Sequence, residues 1–224
     1  MAEGEVLEWD SEFWGARVAR VEGADADGWA SANGVDVAYL LVDGSDAAAA
    51  QAAEERGFRV MDVRVELEAP SVRSEQPVRT HGEADVETLR AIARTSHEDT
   101  RFYADPRFPR ERCDALYDTW IRRSCEGWAD VVLVADREGA PAGYIAMHRR
   151  GGSGSIGLIG VDAAARGRGV GEALVRGALD WCARDGLASC SVVTQGRNVA
   201  AQRLFQRCGF RTSAVDLWFH KWFA

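Results

Sequence analysis

The 224-residue sequence predicts a mixed α/β fold, on three observations. Segments rich in β-branched residues alternate with segments of helical period along most of the chain. A helix, a Gly-Phe pair and a strand follow one another twice, at Glu55-Arg56-Gly57-Phe58-Arg59 and at Arg207-Cys208-Gly209-Phe210-Arg211. An apolar strand at Ser155–Val161 also passes through a turn of glycine and arginine into the strongest helix of the chain, Gly169–Arg184.

Residues 35–42 (Val-Asp-Val-Ala-Tyr-Leu-Leu-Val) read as a strand. Ser45 is the expected N-cap of an alanine-rich helix over Asp46–Arg56, and Gly57 suits the left-handed residue that ends a helix. Phe58–Glu68 is a second strand, with Val60, Val63, Val65 and Leu67 as its apolar members. Residues 71–77 carry proline, serine and charge and read as a linker. They divide an N-terminal unit, residues 1–70, from a larger domain, residues 78–224. In that domain Val78–His81 is a short strand, and Asp85–Ala93 is amphipathic through Val86, Leu89, Ile92 and Ala93. Residues 100–110 read as a loop and Arg112–Ser124 as a helix. Val131–Ala135 and Gly143–His148 are strands joined by a turn at Glu138-Gly139. In the long helix Leu174, Val175, Ala178, Leu179 and Cys182 share one face, while Glu172, Arg176, Asp180 and Arg184 share the opposite, solvated face. A strand over Ser189–Thr194, a helix over Asn198–Arg207 and a strand over Ser213–Trp222 close the chain.

Composition narrows the function classes. With 27 basic and 35 acidic side chains the net charge is −8, which argues against nucleic acid as a partner. The residues after Met1 are acidic with no apolar run behind them, and no segment is long and apolar enough to span a membrane. A cytoplasmic protein with neither leader nor membrane anchor is expected. The five cysteines, Cys113, Cys125, Cys182, Cys190 and Cys208, are scattered and expected to be free thiols. His81, His97, His148 and His220 show no metal-ligand spacing, so no metal is expected.

The chemistry is concentrated in Ile159-Gly160-Val161-Asp162 and in Arg166-Gly167-Arg168-Gly169-Val170-Gly171. Glycines let the backbone approach a ligand, and the first helical N–H groups have no partner within the helix. The helix dipole and the two arginines add positive charge, so the turn is built for a diphosphate. A dinucleotide-binding turn would space its glycines differently, and a Walker loop would need a lysine that is not there. A purely structural turn is the remaining alternative.

Arg-x-x-Gly-x-Gly between an apolar strand and an amphipathic helix resembles the acyl-CoA loop of the GCN5-related N-acetyltransferases. Downstream, Thr194-Gln195-Gly196-Arg197-Asn198 followed by Ala201, Leu204, Phe205, Cys208, Gly209 and Phe210 resembles that family's second half. The resemblance covers residues 78–224 and implies the family's fold, with a half-sized copy of the same β-α-β pattern ahead of it. Asp10-Ser11-Glu12-Phe13-Trp14-Gly15, Arg101-Phe102-Tyr103-Ala104-Asp105, and Tyr117 with Trp120-Ile121 are more similar still to one branch. Members of that branch acetylate the 4-amino group of a dTDP-linked amino-deoxysugar.

The resemblance implies acetyl-CoA as co-substrate and a small-molecule amine as acceptor. Backbone N–H groups of Arg168, Gly169, Val170 and Gly171, with Arg166, would hold the pyrophosphate. The strand edge at Ile159, Gly160 and Val161 would pair with the pantetheine arm, and Asn198 would bond to it. Gly157 or Gly160 would allow a bulge that splays this strand from its neighbour, and the Val161 amide would polarise the acetyl carbonyl. Arg101, Tyr103 and Asp105 are the acceptor-side candidates, with Arg101 meeting a diphosphate. The family's proton donor, a tyrosine seven residues after the asparagine, is here Phe205. Water, Tyr103 or Tyr117 would then have to protonate the thiolate. A water relayed by His148 or a backbone carbonyl is the expected base, with His97 as a further candidate. The N-terminal unit is expected to scaffold, to help form the acceptor cleft or to pair two copies. Acetylation of another small amine, such as an antibiotic or polyamine, and a non-catalytic acyl-CoA-binding module are the competing readings.

Overall fold

The structure, a computed structural model, describes residues 4–223. Among them ten strands form one mixed sheet: β1 (Gly4–Val6), β2 (Val18–Val21), β3 (Val37–Asp43), β4 (Arg59–Pro70), β5 (Arg79–Thr80), β6 (Val131–Arg137), β7 (Ala140–Arg150), β8 (Ser153–Val161), β9 (Ser189–Gln195) and β10 (Arg211–Trp222). Their order is β1-β2-β3-β10-β4-β9-β8-β7-β6-β5. The helices are α1 (Glu8–Trp14), α2 (Asp27–Ala32), α3 (Ala47–Glu55), α4 (Val86–Arg94), α5 (Arg101–Ala104), α6 (Arg110–Arg123), α7 (Val170–Arg184) and α8 (Val199–Arg207). No described helix is long and apolar enough to cross a membrane.

Apolar spacing decides which face each helix buries. The expected stripe of α7, Leu174, Val175, Ala178, Leu179 and Cys182, is buried against Ile145, Met147 and Ile156 on one face of the sheet. On the other face Leu89 and Ile92 of α4 and Leu116 and Ile121 of α6 pack on Tyr144, Ala146 and Leu158. A third core, around Phe58, Leu40 and Phe219, lies in the first part of the chain.

The repeated helix, Gly-Phe, strand pattern has a spatial counterpart. Gly57 (φ 80°) and Gly209 (φ 94°) end α3 and α8 in the left-handed region that glycine tolerates. Phe58 and Phe210 follow them into the core, and both backbone amides bond back into their helices. The second strand of each unit lies beside the first strand of the other: β10 pairs with β3, β4 pairs with β9, and β4 and β10 pair with each other. The last strand of the chain is thereby inserted between two strands contributed by residues 1–70.

Among the departures from expectation, four have local reasons. Asp46, not Ser45, caps α3, because the Ser45 amide and hydroxyl are both taken by Asp43. The loop at 100–110 contains the one-turn helix α5. The chain after α6 ends in a π-helical turn, Ser124–Trp128, where Gly127 adopts φ 101°. The first 34 residues contain β1, α1, β2 and α2, whose three to seven residues are too short to display a period.

Phe219 lies on β10 between β3 and β4 and is 0% exposed. Phe219→Ala should cost about 3–5 kcal/mol. Because β10 is shared, urea unfolding followed by tryptophan fluorescence and by circular dichroism should shift by the same amount in one transition.

Candidate active site

The site begins where two strands part. β8 and β9 pair in parallel at Gly154↔Cys190, Ser155↔Ser191 and Ile156↔Val192, and no further. β8 nevertheless stays paired with β7 as far as Val161. The cause is a bulge: Met147 opposes Ile156 while Ala146 opposes Leu158, which leaves Gly157 as the extra residue. A Cβ at Gly157 would sit 2.6 Å from His148 Nε2, so any other residue there would have to displace the His148 ring. Beyond it the β8 edge from Gly157 to Val161 has no strand partner on the β9 side.

One cavity, of about 600 Å³, lies along that edge and the start of α7. Ile159, Gly160, Val161, Arg166, Gly169, Val170, Gly171 and Asn198 all line it. Gly167 (φ 74°) and Gly169 (φ 83°) make the turn in conformations that side chains disfavour, although space beside both is open. The first amide bonded to the turn is that of Ala173, 3.0 Å from the Gly169 carbonyl. The amides of Val170, Gly171 and Glu172 come before it and have no helical partner. Arg166 ties the turn down through the carbonyls of Val161 and Thr95, at 3.3 and 3.2 Å. Asn198 caps α8 with Oδ1 on the Ala201 amide, 3.0 Å away. Its amide nitrogen remains available to a ligand. The side chain of Arg168 instead lines an adjoining cleft with Arg137 and Asp162. An open set of amides, a glycine cradle and an unpaired strand edge are the features that a diphosphate carrying an extended amide arm requires.

A second cavity, of about 160 Å³, opens on the chain segment next to the first: Asp99 lines one and Thr100 the other. Asp62 and Arg64 of β4, Arg101, Tyr117, Trp120, Thr194 and Gln195 of β9, and Trp218 of β10 line it. The Arg101 guanidinium lies 4.0 Å from the ring centre of Tyr39, 4.3 Å from Trp218 and 4.5 Å from Phe102. Its Nη1 is 3.1 Å from His220 Nε2, and His220 Nδ1 is 2.8 Å from Asp105 Oδ2. Burial pushes the His220 imidazole down to about 4, so it is neutral. Its Nδ1–H therefore donates to Asp105, and Nε2 accepts from Arg101. Asp105 also accepts from Trp222 Nε1 at 2.9 Å. No described carboxylate lies within ion-pair distance of Arg101; its charge is balanced through this relay and, at longer range, by Asp10 and Asp62.

The structure thus brings together the turn, the β8 edge, Asn198 and Arg101, and sets other candidates apart. Tyr103 lines neither cavity. Its hydroxyl donates to Asp114 at 2.7 Å, and burial and that carboxylate raise its pKa, so it is no proton donor here. Asp105 is 2% exposed and spent on His220, Trp222 and the Arg107 amide, so it positions Arg101 and is not open to an acceptor. His148 packs on Gly157 and faces Trp128, away from both cavities. His97 bonds to the Tyr144 hydroxyl at 3.0 Å and stacks on Tyr117. Burial lowers it to about 4, which makes it a neutral support. Phe205 is buried, lines the first cavity and packs on Phe210, so no hydroxyl stands there.

Five residues of the second cavity were not foreseen as site residues: Asp62, Arg64, Thr100, Val193 and Trp218. His220 behind Arg101 was also missed as a site residue. Asp62 had one visible signal. The apolar members of its strand run Val60, Val63, Val65, a slip in the two-residue rhythm. That slip is a bulge, with Phe219↔Val60 and Trp218↔Asp62 leaving Met61 unopposed.

The model of the Acetyltransferase (GNAT) family matches residues 89–210, more than half of the chain, from α4 through the turn to Phe210. The chain belongs to this family. Members of this family are acyltransferases that take acetyl-CoA as the acetyl donor. Among the relatives of this chain, the spore coat polysaccharide biosynthesis protein SpsD of Bacillus subtilis is 26% identical over 138 residues. That match covers 62% of this chain and 48% of SpsD, so the chain spans about half that relative's length. dTDP-fucosamine acetyltransferase of Escherichia coli is 25% identical over 174 residues, 76% of this chain and 75% of the relative. The crystal structure of a GCN5-related N-acetyltransferase from Sphaerobacter thermophilus superposes with a TM-score of 0.64 at 19% identity. It covers 99% of this chain and 76% of the other, which shows the same fold.

Two measurements test this site. Acetyl-CoA should raise the thermal midpoint of the GNAT enzyme by mass action. Gly169→Pro should abolish that rise, because proline cannot adopt φ 83°. Nitrogen NMR should find His220 as the neutral Nδ1–H tautomer down to about pH 4. The unfolded chain protonates the same group near 6.5. The folded pKa is the lower one, so this group's contribution to stability is complete above pH 6.5 and is lost as pH falls toward 4.

Proposed function

We propose that this GNAT enzyme transfers the acetyl group of acetyl-CoA to the amine of a nucleotide-linked amino-deoxysugar. One observation carries the reading. A cavity fit for a diphosphate and its arm lies along the unpaired β8 edge, and at Asp99-Thr100 the chain passes from it to a second cavity that holds an arginine with no carboxylate at ion-pair distance. Acetyl-CoA supplies an activated acyl group when bound. The chain supplies the rest. The amides of Val170, Gly171 and Glu172 hold the diphosphate against the α7 dipole. The β8 edge from Ile159 to Val161 and the Asn198 amide hold the arm. The Val161 amide is the nearest candidate to polarise the reacting carbonyl. The acceptor amine reaches that carbonyl from the second cavity, and fixing the two groups side by side removes much of the entropic barrier. Phe205 cannot give a proton, so water protonates the departing thiolate.

The acceptor assignment rests on Arg101 and the aromatic walls. A guanidinium held by His220 beside Tyr39 and Trp218, with no described carboxylate within ion-pair distance, fits a phosphate or diphosphate. Trp120 and Tyr117 provide flat apolar surface for a sugar ring. A cavity of about 160 Å³ takes a single pyranose ring, so the nucleotide would lie outside it. The relationship to dTDP-fucosamine acetyltransferase, over three quarters of both chains, points the same way.

The test is release of free thiol from acetyl-CoA with three acceptors: dTDP-4-amino-4,6-dideoxygalactose, glucosamine and spermidine. The sugar nucleotide should be turned over best. Arg101→Met should raise its KM about 10- to 100-fold, the range expected for a lost charged hydrogen bond, and should leave acetyl-CoA binding unchanged. Preference for spermidine, or an Arg101→Met variant with unchanged KM, would refute the nucleotide-sugar assignment. No turnover with any amine alongside tight acetyl-CoA binding would leave an acyl-CoA-binding module.

A further inference from the structure

We propose that Asp62 takes the proton from the acceptor's ammonium group and so serves as the general base of this enzyme. The inference rests on the second cavity being the acceptor site, and it concerns a strand of the N-terminal unit that the diphosphate-binding half does not contain.

Five buried side-chain polar atoms among the described residues lack a hydrogen-bond partner: Trp14 Nε1, Tyr39 O–H, Asp62 Oδ1, His81 Nδ1 and Thr100 Oγ1. Two of these, Asp62 Oδ1 and Thr100 Oγ1, belong to residues that line the second cavity. An orphaned buried acceptor is costly, and a carboxylate oxygen most of all, unless a ligand completes it. Asp62 is 4% exposed. Arg197 comes no closer than 3.7 Å to Oδ1, beyond hydrogen-bond distance, and one of its own donors is taken by the Met61 carbonyl at 2.6 Å. Arg197 therefore lends charge to Asp62 without occupying it. A group with N–H donors suits the vacancy, and an amine awaiting acetylation is one.

Position agrees with this role. The Met61 bulge brings Asp62 opposite Trp218, itself a wall of the cavity. Along β4, Arg64 opposes Gln195, the last residue of β9, so Asp62 lies just beyond the open end of the splay. Three charged groups bear on it: Arg197 from the turn before α8, Arg101 of α5 and Asp99 ahead of α5; Arg64 of its own strand lines the same cavity but is paired with Glu66 and Asp216. Burial outweighs the arginines and pushes the Asp62 carboxyl up to about 6. A base of that strength is ionised at neutral pH yet holds a proton well enough to be useful.

The steps balance as follows. The acceptor enters as R–NH3+, and Asp62 takes one proton to become the neutral acid. The free amine then attacks the acyl carbon, forming C–N and breaking C–S. The nitrogen loses its second proton as the amide forms, the sulfur gains one through water, and Asp62 returns its proton to solvent. The net change is R–NH3+ plus thioester to amide, thiol and one H+.

The experiment has an arm that needs no acceptor. Carbon-13 carboxyl NMR of the whole protein, with Asp62→Asn to assign the resonance, should show Asp62 titrating near pH 6. Titration in the ordinary aspartate range would overturn the proposal while leaving the acetyltransferase reading intact. In the second arm, with whichever of the three amines is turned over, wild-type kcat/KM should rise with pH through about 6 to a plateau. Asp62→Asn should lower kcat about 10²- to 10⁴-fold and lose that limb, its rate following ionisation of the free amine. Asp62→Glu should regain part of the rate and the limb. A variant whose KM alone rises, with kcat and pH profile unchanged, would make Asp62 a binding residue and overturn the proposal. The thermal rise with acetyl-CoA, unchanged in both variants, shows that they are folded. Should Asp62→Asn not fold, the limb near pH 6 in the wild type and its retention in Asp62→Glu decide the matter, and its absence overturns the proposal.

Discussion

The site depends on one broken interaction, the pairing of β8 with β9 that stops at Ile156↔Val192. Backbone N–H and C=O groups in a sheet are normally satisfied by the next strand. Here the Gly157 bulge turns β8 away while β7 still holds its other edge, so the strand keeps its geometry but lacks a partner on one side. A ligand with an extended amide backbone restores what the bulge removes. The turn at Gly169 then sits at the end of the same strand, where α7 presents its unpaired amides. Cofactor binding and strand order are therefore a single constraint: closing the splay would satisfy the backbone and abolish the site.

The same gap makes the first part of the chain necessary to the second. β10 is locked between β3 and β4, and β4 on its far side pairs with β9. The wall opposite the diphosphate cavity is consequently assembled from both halves: Asp62 and Arg64 from β4, Trp218 from β10, Arg101 from α5. His220, on β10, holds Arg101 from behind, and Tyr39, on β3, lies beneath its guanidinium. Exchange of the second strands between two similar β-α-β units thus does more than extend the sheet. It carries charged and aromatic side chains from the N-terminal strands to the mouth of the splay.

What could be read beforehand follows from the range of each interaction. The α7 stripe, the turn of Gly167 and Gly169, the Asn198 cap and the Gly157 bulge are local, set by residues within a few positions of one another, and the sequence displays them. Arg101 was visible as a charged residue beside aromatics in a loop that the family resemblance places near the acceptor. Its partners were not, because His220 is 119 positions away and is joined only by the insertion of β10. The same distance misled the reading of Asp105, whose charge looked free in its own segment but is consumed by that histidine. Tyr103 failed more simply: Asp114, one helix later, captures its hydroxyl. Asp62 left a trace in the slipped rhythm of Val60 and Val63, yet a bulge says only that a side chain changes face, not what it will face.

Phe205 bears on which proton transfer matters most. With no hydroxyl at that position the enzyme gives the leaving thiolate no dedicated donor, and a thiolate needs little help near neutral pH because its conjugate acid is weak but not extremely so. The amine is the opposite case. An alkylammonium is almost wholly protonated at the same pH and has no lone pair to attack with. Selection for rate therefore acts more strongly on the group that removes that first proton than on the one that replaces it at sulfur. A buried carboxylate with one oxygen unfilled meets that demand.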